Sequence, residues 1–314
     1  MLRYSLNRLV LLVPLLFGLS VLTFLYMHVI PGDPIAGMLG PGGNPQLIEQ
    51  LRHQYGLDQP IPVQYWQWLT GLLSRGYLGI SFGSGRAIAP ILLNRIPATL
   101  QLTVAGMLFT VLIGLPAGFF AGIYKGRWPD WVLSPASLVG LSLPPFWVGT
   151  LLILVVAIGL QWLPAGGYVP FTQDPVASLR CTIMPGIALG LSLAPYLARM
   201  TRASTIEVQQ EQFVKHARAK GLRRRTILLR YLARNAILPV VVVLGLQLGR
   251  LLSGQVIIEE LFNWPGVGRL LIGGAIQRDY AMVQALVLVI AATYVGLNLV
   301  AELMHAALDP RIRL

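Results

Sequence analysis

Charge is scarce in this chain. Of its 314 residues, 11% are Asp, Glu, Lys or Arg, against about 25% in soluble domains. Apolar residues make up 55% and mean hydropathy is +0.67. That is more apolar surface than a water-soluble fold of this length hides, so the chain reads as an all-α membrane protein. Acid is scarcer than base, with 12 Asp and Glu against 24 Lys and Arg, a formal charge of +12. A single cysteine, Cys181, excludes an intrachain disulfide and any multi-cysteine metal site, and it reads as an ordinary buried thiol. The four histidines, His28, His53, His216 and His305, are scattered without ligand spacing, so no metal or other cofactor is expected in this chain. No Gly-Lys dipeptide occurs, which excludes the phosphate-cradling Gly-x4-Gly-Lys-Ser/Thr loop. A leader cleavage signal is missing too. Arg3 and Arg8 precede an apolar run that continues from Leu9 to Ile30 with no Ala-x-Ala, so that run is read as a retained first span.

Long apolar runs are plentiful. A bilayer core needs about 20 apolar residues as helix, and six stretches qualify: 9–30, 100–124, 133–160, 182–200, 237–258 and 282–305. The expected fold is therefore six transmembrane helices. The fourth stretch is short and holds Pro185 and Pro195, which suits a bundle interior where neighbours satisfy freed backbone groups. Ser142-Leu-Pro-Pro-Phe146 interrupts the third and predicts a kink. Lys and Arg in loops set the orientation. With a cytoplasmic N-terminus, sixteen cations fall inside and seven outside, Arg250 lying within a span; both termini are then cytoplasmic. The same bias explains the net charge through loop sidedness, so no nucleic-acid partner is expected. Residues 31–99 form an external helical cap with turns at Asp33-Pro34, Pro41-Gly-Gly43 and Pro60/Pro62. Short helices are predicted there at Pro45–Tyr55 and Val63–Leu73, and Tyr65, Trp66 and Trp68 are read as an interfacial belt. The chain divides into 1–99 (first span and cap), 100–308 (five further spans) with a loop at 201–236, and a cytoplasmic tail at 309–314.

That loop holds most of the charge. From Arg199 to Arg234 ten Lys and Arg stand against Glu207 and Glu211, so the segment carries +8 of the +12. Two short helices are expected within it. In the first, Phe213, Ala217 and Gly221 recur every fourth residue beside Val214 and form a narrow apolar-to-small stripe, while Lys215, Arg218 and Lys220 point elsewhere. Gly221 suits the left-handed position that ends a helix. Ala217, Ala219 and Gly221 would let another backbone approach closely, a need an ordinary solvated loop lacks. The second helix sets Ile227, Leu228, Tyr231 and Leu232 against Arg223, Arg224, Arg225, Arg230 and Arg234, an interfacial amphipathic helix leading into the fifth span. Pro239 is then expected in that span's first turn.

The segment Glu211-Gln-Phe-Val-Lys-His-Ala-Arg-Ala-Lys-Gly221-Leu, closed by Ile237-Leu-Pro239, resembles the cytoplasmic "EAA" loop of ABC-importer permeases in the dipeptide/oligopeptide/nickel branch. The likeness extends over nearly the whole chain, through Ile30-Pro-Gly-Asp-Pro34, Tyr55-Gly-Leu-Asp-Gln-Pro60, Trp162-Leu-Pro-Ala-Gly-Gly-Tyr168, Asn263-Trp-Pro-Gly-Val-Gly-Arg269 and Asp309-Pro-Arg-Ile-Arg313. Where the general pattern begins Glu-Ala-Ala, this chain has Lys215-His216-Ala217, a departure that fits the branch. The resemblance implies a multi-pass permease subunit of the inner (cytoplasmic) membrane, paired with a second homologous permease. It also implies two cytoplasmic ABC ATPases that hold ATP and Mg, and an external substrate-binding protein. The chain itself would be no enzyme. Short peptides are the implied cargo, with nickel, free or chelated, and glutathione as alternatives in the same family. Coupling to the ATPases falls on Glu211, Phe213, Val214, Lys215, Ala217, Arg218, Ala219, Lys220 and Gly221.

Other residues suit a passage or a chemical role. Gln247, Arg250 and Asn298 lie within spans and are candidates for the translocation pathway, with snorkelling or inter-helix bonding as the plainer uses. Glu259, Glu260 and Asp279 are expected outside, facing a binding protein or solvent, and Asp33 is a turn residue. Gly79-Ile-Ser-Phe-Gly83 matches Gly-x-Ser-x-Gly without the strand-turn-helix that exposes such a serine. Ser192 and His305 are the only pair that suggests an intramembrane serine hydrolase, a distant alternative, and His305 lies at the end of its span rather than at mid-depth.

Overall fold

The computed structural model describes residues 2–29, 35 and 44–308. The turn readings at Asp33 and Pro41-Gly-Gly43, and the 309–314 tail, lie outside those residues. The described chain is helical: α1 Leu2–Val29, α2 Pro45–Gln54, α3 Ile61–Arg75, α4 Ile88–Ile123, α5 Trp128–Ser142, α6 Pro145–Gly159, α7 Pro175–Gln210 and α8 Gln212–Ala219. Then Arg224–Thr226, a π-helical stretch Ile227–Ala233 and Arg234–Gly254 run on without a break as α9, followed by α10 Val256–Leu261, α11 Val267–Ile276 and α12 Tyr280–Leu308. Among the described residues four helices, within α4, α7, α9 and α12, are long and apolar enough to cross a membrane. The pair α5 and α6 makes a fifth candidate, and α1 contributes a shorter apolar stretch, Leu12–Leu25. Six spans were expected, and this is the part of that count the described residues carry.

Two compact units form, Met1–Pro97 with Pro265–Val295 and Ala98–Trp264 with Gly296–Leu314. In the first unit Asn44 caps α2, its side-chain Oδ1 accepting from Gln46 N at 3.0 Å. The aromatic belt needs correction. The Tyr65 hydroxyl lies 2.8 Å from Ser20 Oγ, and Phe24 meets Tyr65 edge-on at 5.3 Å and Trp68 at 6.0 Å. Two of the three aromatics therefore seal α3 to α1, and only Trp66 is broadly exposed. A second cluster of this unit joins Ile88, Leu92, Val267, Met282, Ala285 and Leu286.

In the second unit α4 and α7 touch through glycine. Gly114, Gly118 and Gly122 fall four apart on one face of α4. A Cβ on Gly118 would lie 2.2 Å from Ala198 O, one on Gly114 2.6 Å from Ala194 O, and one on Gly122 2.6 Å from Thr205 Cβ. From the other side, a Cβ on Gly190 would lie 2.5 Å from Phe109 Cβ. Small residues let helix backbones approach closely where the hydrophobic effect gives helices no reason to pair. The two prolines of α7 are internal to one 36-residue helix. Half of its apolar window is buried, against under a third in the other three spans, as the bundle-interior reading requires.

Two expectations on helix breaks change. The third span does not merely kink: α5 and α6 diverge by 100° at Leu143-Pro144, because two adjacent prolines remove two successive amide donors and push the preceding residue out of helix. The fifth span begins earlier than expected. Residues 224–233 are not a separate surface helix but the start of α9, so Pro239 lies well inside a helix instead of in its first turn. The local ladder adjusts around it. Asn235 Nδ2 donates to Tyr231 O at 2.6 Å, and Ser204 Oγ of α7 donates to Ala236 O at 2.9 Å, supplying a partner to a carbonyl in the turn that the proline disturbs.

Candidate functional site

The loop between α7 and α9 is compact. Only Glu211 separates α7 from α8; its extended backbone, φ −65° and ψ 146°, breaks the helix and starts the next one. Val214 and Ala217, one turn apart, are buried and pack with Val208 of α7 and Ile227 of α9. α8 is thereby held against the two helices it connects. Its end is a Schellman motif. Gly221 N donates to Arg218 O at 3.0 Å, Leu222 N donates to Ala217 O at 3.3 Å, and Gly221 takes φ 69°, the left-handed position its sequence suggests.

Of the stripe Phe213, Ala217 and Gly221, only Ala217 is buried within the chain. The short helix turns Val214 and Ala217 inward and leaves Phe213 39% exposed, because the inward face is chosen by contact with Val208 and Ile227. Ala217 is small for packing inside the chain, and Gly221 is a glycine for its dihedral, since an added Cβ there would meet nothing within 4 Å. Glu211, Phe213, Lys215, Arg218, Ala219, Lys220 and Gly221 are exposed, one surface of predominantly positive charge.

Beside this loop, residues that sequence reasoning passed over are tied together. Arg202 of α7 donates from Nε and Nη2 to the two carboxylate oxygens of Asp130 in α5, at 2.6 and 2.8 Å. Gly126 N and Ser134 Oγ donate to the same carboxylate at 2.9 and 2.7 Å. Gln209 Nε2 of α7 donates to Gly122 O at 3.0 Å, and the Arg224 guanidinium lies 5.5 Å from the Tyr124 ring centroid, within cation–π range. Signals for these existed. Asp130 is the sole acid between Asp58 and Asp174, and glycine recurs every fourth residue from Gly114 to Gly122.

The pathway candidates are not brought together. Gln247 is buried with neither side-chain amide atom hydrogen-bonded, Asn298 is half-buried on α12, and the Arg250 side chain lies outside the described residues. Two of the three acids expected outside are instead buried. Glu259 is fully buried and accepts from Thr99 Oγ1 at 2.9 Å. Asp279 is buried, caps α12 by accepting from Met282 N at 3.2 Å, and accepts from Phe82 N at 3.0 Å and from Ser81 Oγ. Acid usually faces water or a partner; here Glu259 accepts from a hydroxyl, and Asp279 from a hydroxyl and backbone amides. Ser81, the Gly-x-Ser-x-Gly serine, is consumed in that capping. Ser192 Oγ donates to Leu189 O at 2.7 Å, and the His305 side chain lies outside the described residues. Among the described residues no group of three or more His, Cys, Asp and Glu could hold a metal ion.

Several apolar helices, glycine-packed against one another, and a short basic-faced helix gripped by two of them define a multi-pass membrane protein of transporter type. The chain belongs to the family described as the binding-protein-dependent transport system inner membrane component, which it matches over residues 114–314, with the family's N-terminal region matched over residues 1–103. It is 40% identical to the glutathione transport system permease protein GsiC of Escherichia coli (strain K12) over 313 residues, covering 100% of this chain and 99% of that one. The same figures hold for the protein of that name from Shigella dysenteriae serotype 1 (strain Sd197). Among solved structures, the inward-facing MetNI methionine ABC transporter shares the fold, with TM-score 0.56 and 19% identity over 70% of this chain and 97% of that chain.

Proposed function

We propose that this chain is one of two homologous permease subunits of an ATP-driven importer for short peptides, and that glutathione, itself a short peptide, is the cargo to test first. The name of the 40%-identical relatives favours glutathione over nickel. Two cytoplasmic ATPases, holding ATP and Mg, supply the energy, and an external binding protein delivers the cargo. Transport is inward and proceeds by alternating access, with both termini cytoplasmic.

The observation that carries the coupling part of this reading is the seating of α8. A one-residue link at Glu211 and the buried pair Val214 and Ala217 hold it against α7 and α9. An ATPase that grips the exposed face (Phe213, Lys215, Arg218, Ala219, Lys220) therefore moves two membrane helices when it closes on ATP. The assembled complex, reconstituted with its ATPases and binding protein, tests this through uptake of labelled glutathione, a dipeptide and nickel side by side. Saturable, ATP-dependent glutathione uptake supports the reading. Uptake of nickel alone would refute the cargo, and absence of any ATP-dependent uptake would refute the importer.

A further inference from the structure

The turn between α4 and α5 is held to the coupling helix's own supports at three points. We infer that Asp130 and Arg202 are positioning residues for transport: they make this turn part of the body that α8 drives. The inference rests on the reading of α8 as the ATPase-coupled element.

It is built up from the start of α5. Asp130 is the third residue of that helix, after Trp128 and Pro129. A carboxylate there faces free amide groups and the positive end of the helix dipole. It reaches back to Gly126 N, just ahead of the helix, where the chain turns at φ 73°. Gly126 N and Ser134 Oγ already give this carboxylate local partners. Arg202 adds nothing to that local job. It comes from α7, 72 residues along the chain, and places its guanidinium in register with both carboxylate oxygens. A paired fork fixes orientation as well as distance, which a point charge does not. Asp130 is 6% exposed and the Arg202 side chain 32%, and an ion pair with one buried and one partly exposed partner yields little net stability. A geometric role explains it better than a gain in stability.

The location gives that geometry its use. Arg202 lies two turns before Gln210, where α7 ends and the one-residue link to α8 begins. In the last turn of α7, Gln209 holds Gly122 O at the end of α4, and Arg224, at the start of α9, covers Tyr124. The helices on either side of α8 thus both grasp the same turn. A displacement of α8 is delivered to four helices, α4, α5, α7 and α9, instead of two.

The test uses the full complex in proteoliposomes, reading uptake, ATP hydrolysis and subunit recovery together. Arg202→Lys keeps the charge and loses the fork. The expected result is normal recovery and hydrolysis within twofold, with uptake per ATP lowered about tenfold, the scale of one charged hydrogen bond. The exchange of both residues, Asp130→Arg with Arg202→Asp, restores part of that ratio. An unchanged ratio, or uptake and hydrolysis falling in parallel, overturns the inference. If Arg202→Lys does not assemble, Arg202→Gln decides, because it keeps a neutral hydrogen-bond donor near Asp130 and loses the paired fork; a lowered ratio supports the inference and an unchanged one refutes it. Gly221→Val separates the two readings. If it leaves uptake per ATP unchanged, the role of α8 itself fails; if it uncouples and Arg202→Lys does not, only the present inference fails.

Discussion

Glycine serves opposite needs in the membrane helices and in the loop. At Gly118 the backbone is ordinary helix and the space is absent, with Ala198 O 2.2 Å from where a Cβ would be. At Gly221 the space is open and the backbone is unusual, with φ 69° and no atom within 4 Å of a Cβ. The first glycine sets how near two spans lie; the second sets how a helix ends and where the chain goes next. A bundle whose helices are packed this tightly moves in blocks, since interdigitated packing does not deform continuously. On the proposed reading, the loop is the handle by which such a block is moved.

Substitutions break this contrast in graded ways. Gly118→Leu should have the largest effect, about 3 kcal/mol or more from overpacking against backbone that cannot yield. The expected outcome is loss of folded chain from the membrane, checked by recovery and thermal unfolding in detergent. Val214→Asp comes next, burying a charge where α8 meets α7 and α9, at about 3 kcal/mol but confined to the loop. The spans should remain folded and uptake should vanish while ATP hydrolysis continues, measured in the reconstituted complex. Gly221→Val should cost about 1–2 kcal/mol from the left-handed dihedral alone, leaving global unfolding nearly unchanged and lowering uptake per ATP. Phe213→Ala, on the exposed face, should shift stability by no more than about 0.5 kcal/mol and should weaken capture of the ATPase subunits in a pull-down. Equal losses of stability for Gly118→Leu and Gly221→Val would erase the distinction between a glycine for space and one for dihedral.

Much of this was legible in the sequence. Among the described residues, apolar run length gave four spanning helices and a bent fifth, Gly221 gave the end of α8, and Pro45 gave the start of α2. What stayed hidden depends on facing partners. Phe213 and Val214 are equally apolar neighbours on one helix, and only the positions of Val208 and Ile227 decide which points inward. Glu259 and Asp279 look like solvent-facing acids until Thr99 and the Phe82 amide are brought to them from distant parts of the chain. A proline usually opens a helix; Pro239 instead lies inside one, where the Ser204 hydroxyl donates to Ala236 O in the turn before it. For the pair of Asp130 and Arg202, 72 residues apart, the sequence offers only the isolation of Asp130 as an acid and nothing that names its partner.

The most direct test of the account is the number of cargo molecules taken up per ATP hydrolysed by the reconstituted complex carrying Gly221→Val. The account predicts normal assembly, continued hydrolysis and a ratio lowered about tenfold, the consequence of roughly 1.4 kcal/mol of lost coupling. An assembled complex with an unchanged ratio would contradict it.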